Sequence, residues 1–382
     1  MDTDFSAAEE TLRQELRAFL ADALPETWSG VFGHGDPEPI ELSFELCGRL
    51  AERGWLIRQW PREYGGAEAP VWEQVVLQEE YEAHFEPRGG QYMGVNWIGP
   101  AIMLYGSEEQ QRTLLPEISA GAVQWAQLFS EPEAGSDLAA IATTARLEDG
   151  HFVVSGEKLW TSYGTVADRG FLVARTEEGS SRHHGLSVLL VDMKHPGVEV
   201  RDTPAVLGPG RIAEEVFVDA VFPESCLLGP LHDGWRVAMT ALAFERAGIP
   251  GHARATRVLG RLGAVVDEAH EDAYVELLAA GRLAELTYYE SVAERESGEP
   301  GWLSSAVRVV NARYLQDVSA FAEDVLGPYA RVPGSEIPGS GLHDEIESFD
   351  VKRAPVASMT SGTLEVQIGL IARRALDLPR DR

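Results

Sequence analysis

Cysteine, positive charge and long apolar runs are all scarce in this chain. Two cysteines among 382 residues, Cys47 and Cys226, exclude a disulfide-stapled scaffold and a cysteine metal site. Both sit in apolar surroundings and read as small core residues. Lysine and arginine number 32 against 61 acidic residues, a net charge of −29. That balance argues against nucleic acid or an anionic membrane as partner. No stretch of ~18 apolar residues occurs, so no membrane-spanning helix is expected. The start, Met1-Asp-Thr-Asp-Phe-Ser, lacks the basic residues of a signal peptide, which predicts a cytoplasmic location. What is present is an ordinary 44% of hydrophobic residues, typical of a globular protein. The length exceeds the ~250–300 residues at which one core usually divides, so two or three sub-domains are expected.

Residues 1 to about 120 read as helical. Phe5, Leu12, Leu16, Phe19 and Leu20 recur at helix spacing until Pro25, and Leu42, Leu46 and Leu50 mark a second helix over 40–53. The segment from Gly54 to Gly66, rich in Gly, Pro and aromatics, reads as a loop. Val71 to His84 reads as a third helix. Ser107 with Gln110 has the spacing of a helix N-cap and capping box. From Gln124 to Leu228 the period changes to short runs of branched and aromatic residues, such as Gly170-Phe-Leu-Val-Ala-Arg and Glu215-Val-Phe-Val-Asp-Ala-Val-Phe. These predict a small all-β domain. The paired His183 and His184 lie in its most polar loop. Neighbours on a strand face opposite ways, so they read as a solvated hairpin tip. Long helical patterns return over 235–249, 251–269, 271–296, 302–325 and 364–376, with a Gly- and Pro-rich loop over 327–341. The result is an α+β chain of three parts: 1–122 helical, 123–230 a central β domain, and 231–382 a helical bundle.

The stretch with chemical promise is Trp125-Ala-Gln-Leu-Phe-Ser-Glu-Pro-Glu-Ala-Gly-Ser-Asp137, followed by Gly156-Glu-Lys-Leu-Trp-Thr-Ser162. The first reads as a strand running into a turn that leaves backbone N–H groups and the Ser130 and Ser136 hydroxyls free for a flat or anionic ligand. The second puts Trp160 beside two hydroxyls, which suits an aromatic ring with polar edges. In this order the two pieces resemble the flavin-binding region of the acyl-CoA dehydrogenase family, and the resemblance extends over nearly the whole chain. It implies the family's three-part fold, with FAD between the β domain and the C-terminal bundle. It also implies α,β-desaturation of an acyl-CoA, in which a carboxylate removes the α proton while the β hydrogen leaves as hydride to flavin N5. By the same resemblance, Phe129, Ser130, Trp160, Thr161 and Ser162 contact the flavin ring, as do Thr363 and Glu365. Ser136 lies near the thioester arm. An electron-transfer flavoprotein takes the electrons from a tetramer.

Two departures from the family pattern carry information. Many members hold the base as Glu in a Tyr-Glu-Gly-Thr segment; here the matching segment is Met359-Thr-Ser-Gly-Thr-Leu-Glu-Val-Gln367, with Ser361 at that position. A minority branch carries the base on the first bundle helix, ahead of an arginine, and this chain has Phe244-Glu245-Arg246 there. The resemblance therefore implies Glu245 as general base and Arg246 and Ser361 as substrate neighbours, with Glu365 a weaker alternative base. The second departure is the loss of the Arg-x-x-Phe-Gly pattern that reaches a neighbouring subunit's FAD; residues 257–270 lack it. Some actinobacterial members, including those acting on steroid side chains, complete each FAD site from two different subunits in α2β2 assemblies. The chain is expected to be one partner of such a pair or a homotetramer. A non-catalytic half-site subunit and a flavin monooxygenase or oxidase on the same fold are the alternative functions.

Overall fold

The protein is described here from a computed structural model covering residues 5–25, 28, 38–206, 212–247, 249–298, 301–327, 353–360 and 362–379. Its residues cluster into two compact units: one of 1–30, 69–87 and 246–382, the other of 31–68 and 88–245.

In the first unit, α1 (Ala7–Ala23) begins at a capping box in which Ser6 and Glu9 satisfy each other's backbone N–H, two of the orphan donors of a helix start. Phe5, which the spacing assigns to this helix, lies just before its cap. Its ring instead meets Trp72 at 6.2 Å and Tyr289 at 5.6 Å, an edge-on apolar cluster. In the second unit α2 (Glu38–Glu52) follows, and the loop after it carries the buried Trp60, whose indole N–H donates to Val95 O at 2.9 Å. Back in the first unit, α3 (Val71–Ala83) ends at His84.

The second unit continues through residues 91–105. There α4 (Gln91–Met93), a π-turn (Gly94–Ile98) and α5 (Gly99–Tyr105) form one continuous coil. α6 (Glu108–Ser119) starts with the expected capping box of Ser107 and Gln110. Gln110 also donates to the carbonyls of Ser225 and Leu227 at 2.9 Å, which ties α6 to the β domain.

That domain is an eight-stranded sheet: β1 (Trp125–Leu128), β2 (Thr144–Glu148), β3 (His151–Ser162), β4 (Arg169–Arg175), β5 (Leu186–Asp192), β6 (Val198–Asp202), β7 (Ile212–Pro223) and β8 (Leu227–Leu228). The order is β6-β7-β3-β2-β4-β5-β8, with β1 parallel to β4. Its core gathers Leu128, Phe152, Val154, Leu172, Leu189 and Phe217. β3 and β7 are each longer than their apolar runs suggest, because they pair along their whole length with irregularities after Val154 and Leu159. β3 therefore runs through Lys158 and Trp160 to Ser162. The helix α7 (Gly234–Ala247) follows, its Thr240 hydroxyl 2.9 Å from that of Tyr105.

The first unit resumes with α8 (Gly251–Leu262), α9 (Glu271–Glu296) and α10 (Leu303–Leu326), then a helical turn at 353–357 and α11 (Leu364–Arg374). The spacing extends α8 to residue 269; it stops at Leu262. Gly263 caps it, and the residues up to 270 turn instead. A β-carbon at Gly263 would lie 2.5 Å from the Tyr274 hydroxyl, so a larger residue there would push the tyrosine side chain aside. The Gly- and Pro-rich loop over 327–341 lies, but for Gly327, outside the described residues.

Candidate active site

The two halves of the predicted site motif are bolted together by their own charged residues. Lys158, fully buried on β3, donates to Glu131 Oε1 at 2.7 Å and to Phe129 O at 3.1 Å. Glu131 in turn accepts from the backbone N–H of Ala142 at 2.7 Å and Thr143 at 3.1 Å. The Leu159 N–H donates to Ser130 O at 2.9 Å. Burial pulls the Lys158 ammonium down to about 8 against the pull of Glu131. Burial alone would raise Glu131, but Lys158 and the Thr143 and Ala142 donors hold it below the ordinary carboxylate value. With both ends hydrogen-bonded, the pair is ionised at neutral pH.

This clamp fixes the end of β1 against the end of β3. Phe129 is buried, its ring 5.8 Å from that of Phe171, and Ser130 is half-buried. Trp160 is 58% exposed and sits at φ 66°, a left-handed conformation. The strand irregularity there turns its ring out of the core. Ser162 is half-buried, and the buried Tyr163 after it meets the Tyr92 ring at 6.1 Å. Phe129, Ser130, Trp160, Thr161 and Ser162 are thus brought into one neighbourhood of hydrogen-bonded backbone. Ser136 is exposed in the turn beyond, next to Asp137, which pairs with Arg182 at 3.2 Å.

Thr161 is different from its neighbours. It is buried, and its hydroxyl donates to Glu215 Oε2 at 2.6 Å, so what it can offer a ligand is backbone. Glu215 was not singled out from the sequence. A signal was available: in Glu215-Val-Phe-Val, period-two alternation puts Glu215 on the same face as the core residue Phe217. Burial raises the Glu215 carboxyl to about 7, against the lowering effects of Thr161 and Lys158. Folded Glu215 therefore keeps its proton to about pH 7, whereas the unfolded chain releases it near the ordinary value of 4.5. The stability this group supplies is complete below that value and is lost as pH rises through 7. Glu215→Gln is expected to match the wild-type unfolding midpoint near pH 5 and exceed it at pH 8, by up to ~3 kcal/mol. Thermal melts at the two pH values check this; an equal difference at both would refute it.

Glu245, near the end of α7, is 8% exposed. Its Oε2 accepts from Gln127 Nε2 at 3.3 Å. Gln127 is the other residue missed in the sequence; no local pattern joins positions 118 apart. It lies on β1 two residues before Phe129, on the same side of the strand, and its buried Oε1 has no hydrogen-bond partner among the described residues. The backbone of Arg246 continues α7, but its side chain lies outside the described residues, as does Ser361 altogether.

The other unit holds the remaining predicted residues. Thr363 is the N-cap of α11, its hydroxyl accepting from Val366 N–H at 3.3 Å, and Glu365 is exposed in the first turn. Before them Gly362 has φ 84°, a turn conformation that suits glycine. The same unit contains a buried ionic network. Glu79, His252 and Glu285 place ligand-type atoms within 4.8 Å of one another. Arg13 already lies 2.8 Å from Glu79, and Tyr289 donates to Glu285 at 3.0 Å. Arginine supplies the positive charge there, as it does for Glu80, which is held by Arg13 and Arg17. The exposed His183 and His184 form a turn, their rings 4.1 Å apart.

Comparison with known proteins agrees with this architecture. Residues 6–122 match the description "acyl-CoA dehydrogenase, N-terminal domain" and residues 126–221 match "acyl-CoA dehydrogenase, middle domain". The chain is 33% identical to acyl-CoA dehydrogenase IpdE1 of Mycobacterium tuberculosis, over 97% of this chain and 98% of that protein. Among solved structures it is similar to the Tcur3481-Tcur3483 steroid ACAD, with a TM-score of 0.90 at 28% identity over all of both chains. It is also similar to the ChsE4-ChsE5 complex from Mycobacterium tuberculosis, with a TM-score of 0.86 at 26% identity, again over all of both chains. The fold is the acyl-CoA dehydrogenase fold, and the chain belongs to the acyl-CoA dehydrogenase family of flavin-dependent oxidoreductases.

Proposed function

We propose that the protein is an FAD-dependent acyl-CoA dehydrogenase in which Glu245 is the general base. The observation that carries this reading is the Gln127–Glu245 hydrogen bond. It links the buried carboxylate to the strand that leads directly into Phe129 and Ser130. The chain would work in three parts, 1–122, 123–230 and 231–382; Phe129, Ser130, Trp160, Thr161 and Ser162 are the residues that would hold the flavin, and Thr363 and Glu365 are further cofactor-binding candidates.

The residues fit a flavin. An exposed indole beside half-buried Ser130 and Ser162 offers a flat apolar face next to backbone donors, and the unpartnered Gln127 Oε1 can accept from a ligand N–H. When bound, the flavin supplies the acceptor for the β hydrogen. The protein's own work is to orient and to take the proton. Glu245, oriented by Gln127, accepts the α proton of the acyl thioester. Ser136, Arg246 and Ser361 are the substrate-binding candidates. Phe129 and Phe171 exclude water beneath the strand ends. An electron-transfer flavoprotein would be the acceptor of the electrons.

A second reading concerns assembly. The similar solved structures are named as pairs of chains, and α8 ends at Leu262 without the pattern that lends contacts to a neighbour's cofactor. Both support a heteromeric tetramer, in which this chain completes its site with a paralogous subunit, over a homotetramer. Among the described residues no helix is long and apolar enough to cross a membrane.

The test is a visible spectrum of the protein purified alone and co-expressed with a paralogous subunit. A flavin spectrum that bleaches on adding acyl-CoA without oxygen is expected in at least one preparation. Flavin that bleaches only in the pair establishes the split site. Reduced flavin that reacts rapidly with oxygen would favour a monooxygenase if the product is oxygenated and an oxidase if hydrogen peroxide is released. Absence of flavin from both preparations would overturn the proposal.

A further inference from the structure

Glu215 has no place in the chemistry proposed above, yet it is the most unusual carboxyl in the β domain. It is fully buried on β7, in register with Lys158 of β3 and Val200 of β6. One oxygen accepts the Thr161 hydroxyl at 2.6 Å. The other, Oε1, has no hydrogen-bond partner among the described residues. That oxygen faces Gly164, where a β-carbon would lie only 2.1 Å away. Any larger residue would displace the carboxyl or the turn, so glycine is required by the close approach.

An ionised carboxylate has about four acceptor sites, and among the described residues the Thr161 hydroxyl is the single donor that meets them in a dry interior. A protonated carboxyl needs far less, since its own O–H can serve one oxygen. The surroundings leave the balance close. From β3 come Lys158, whose charge is already engaged by Glu131, and the Thr161 hydroxyl. From β7 itself comes Glu214, which raises Glu215 further. Glu214 pairs with Arg201 of β6 at 3.3 Å, and burial and Glu214 together raise the Glu157 carboxyl of β3. The turn after β3 contributes Tyr163 and Gly164, and no charge. Burial places the titration of Glu215 at about 7.

We propose that Glu215 is a positioning residue for the Thr161–Ser162 strand end, which it holds in one of two settings according to whether its carboxyl carries a proton. Ionised, it takes the Thr161 O–H as donor, the arrangement described above. Protonated, it donates to Thr161 Oγ1, and the Thr161 hydroxyl hydrogen must turn elsewhere. The proton goes to or comes from solvent. The strand end is the one assigned to the flavin ring under the proposed function, so an effect on the flavin rests on that reading. The two settings themselves do not.

The test follows hydrogen–deuterium exchange of the 159–166 segment in the whole protein from pH 5.5 to 8.5, corrected for the intrinsic pH dependence of exchange. A step in protection of about tenfold is expected near pH 7, the weight of a charge-assisted over a neutral hydrogen bond. Glu215→Gln, close in shape to the protonated acid, should abolish the step. Thr161→Val should abolish it too while leaving a carboxyl infrared band that still titrates. A merely structural glutamate would give no step. Where flavin is bound, its visible band should shift over the same range in wild type and not in Glu215→Gln. A step seen in protein that never binds flavin leaves this inference standing and removes the proposed function. No step in wild type, or a step that survives Glu215→Gln, overturns it.

Discussion

Replacing Glu245 by glutamine is expected to slow bleaching of the flavin by acyl-CoA by about 100- to 10,000-fold, the usual range for loss of a general base. The substitution keeps shape and volume, and the Gln127 amide can still donate to the new side-chain oxygen, so flavin content and unfolding midpoint should stay near wild type. What is lost is the only thing a carboxylate has and an amide lacks, the capacity to take a proton at neutral pH. Gln127→Leu offers a graded companion. It removes one hydrogen bond from a buried charged group, worth about 1.5–3 kcal/mol, and should slow bleaching by roughly tenfold to a hundredfold while leaving the base in place. Rapid-mixing absorbance in the absence of oxygen reads both. Wild-type bleaching by Glu245→Gln would move the base elsewhere, to Glu365 or to a partner subunit.

The second large effect is structural. Lys158→Met is expected to destabilise the protein by about 3–5 kcal/mol, because it leaves the Glu131 carboxylate buried without its counter-charge. The Ala142 and Thr143 N–H groups would still face Glu131, so the loss concerns charge more than hydrogen-bond number. Phe129 O would also lose its donor, which should loosen the junction of the two motif halves and lower flavin retention. Adding Glu131→Gln to Lys158→Met removes the stranded charge while keeping an acceptor for those N–H groups. The double variant should therefore be more stable than Lys158→Met alone, the non-additive signature of a buried pair. Urea unfolding of the single and double variants decides it. A double variant no more stable than Lys158→Met would show that the pair is not the clamp described here.

The sequence by itself determined the parts of this protein that rest on short-range physics. The Ser107–Gln110 cap spans one helical turn and forms as its spacing predicts. The change from helical to alternating period near residue 124 marks the β domain because side-chain direction follows backbone conformation locally. The motif around Glu131, Lys158 and Trp160 was legible as a composition of turn, charge and aromatic residues, and through it the family. Where neighbours in space decide, local pattern gave out. Phe5 fits the helix period but packs on Trp72 and Tyr289 instead, and α8 stops at Leu262 although its spacing runs on. Only the tertiary structure put Lys158 on Glu131, 27 residues away, and Gln127 on Glu245, 118 residues away. It alone turned Trp160 outward. The physical reason is the same in each case. Desolvation and pairing energies depend on which groups the fold excludes from water together, and that is a property of the packed sheet rather than of any stretch of chain.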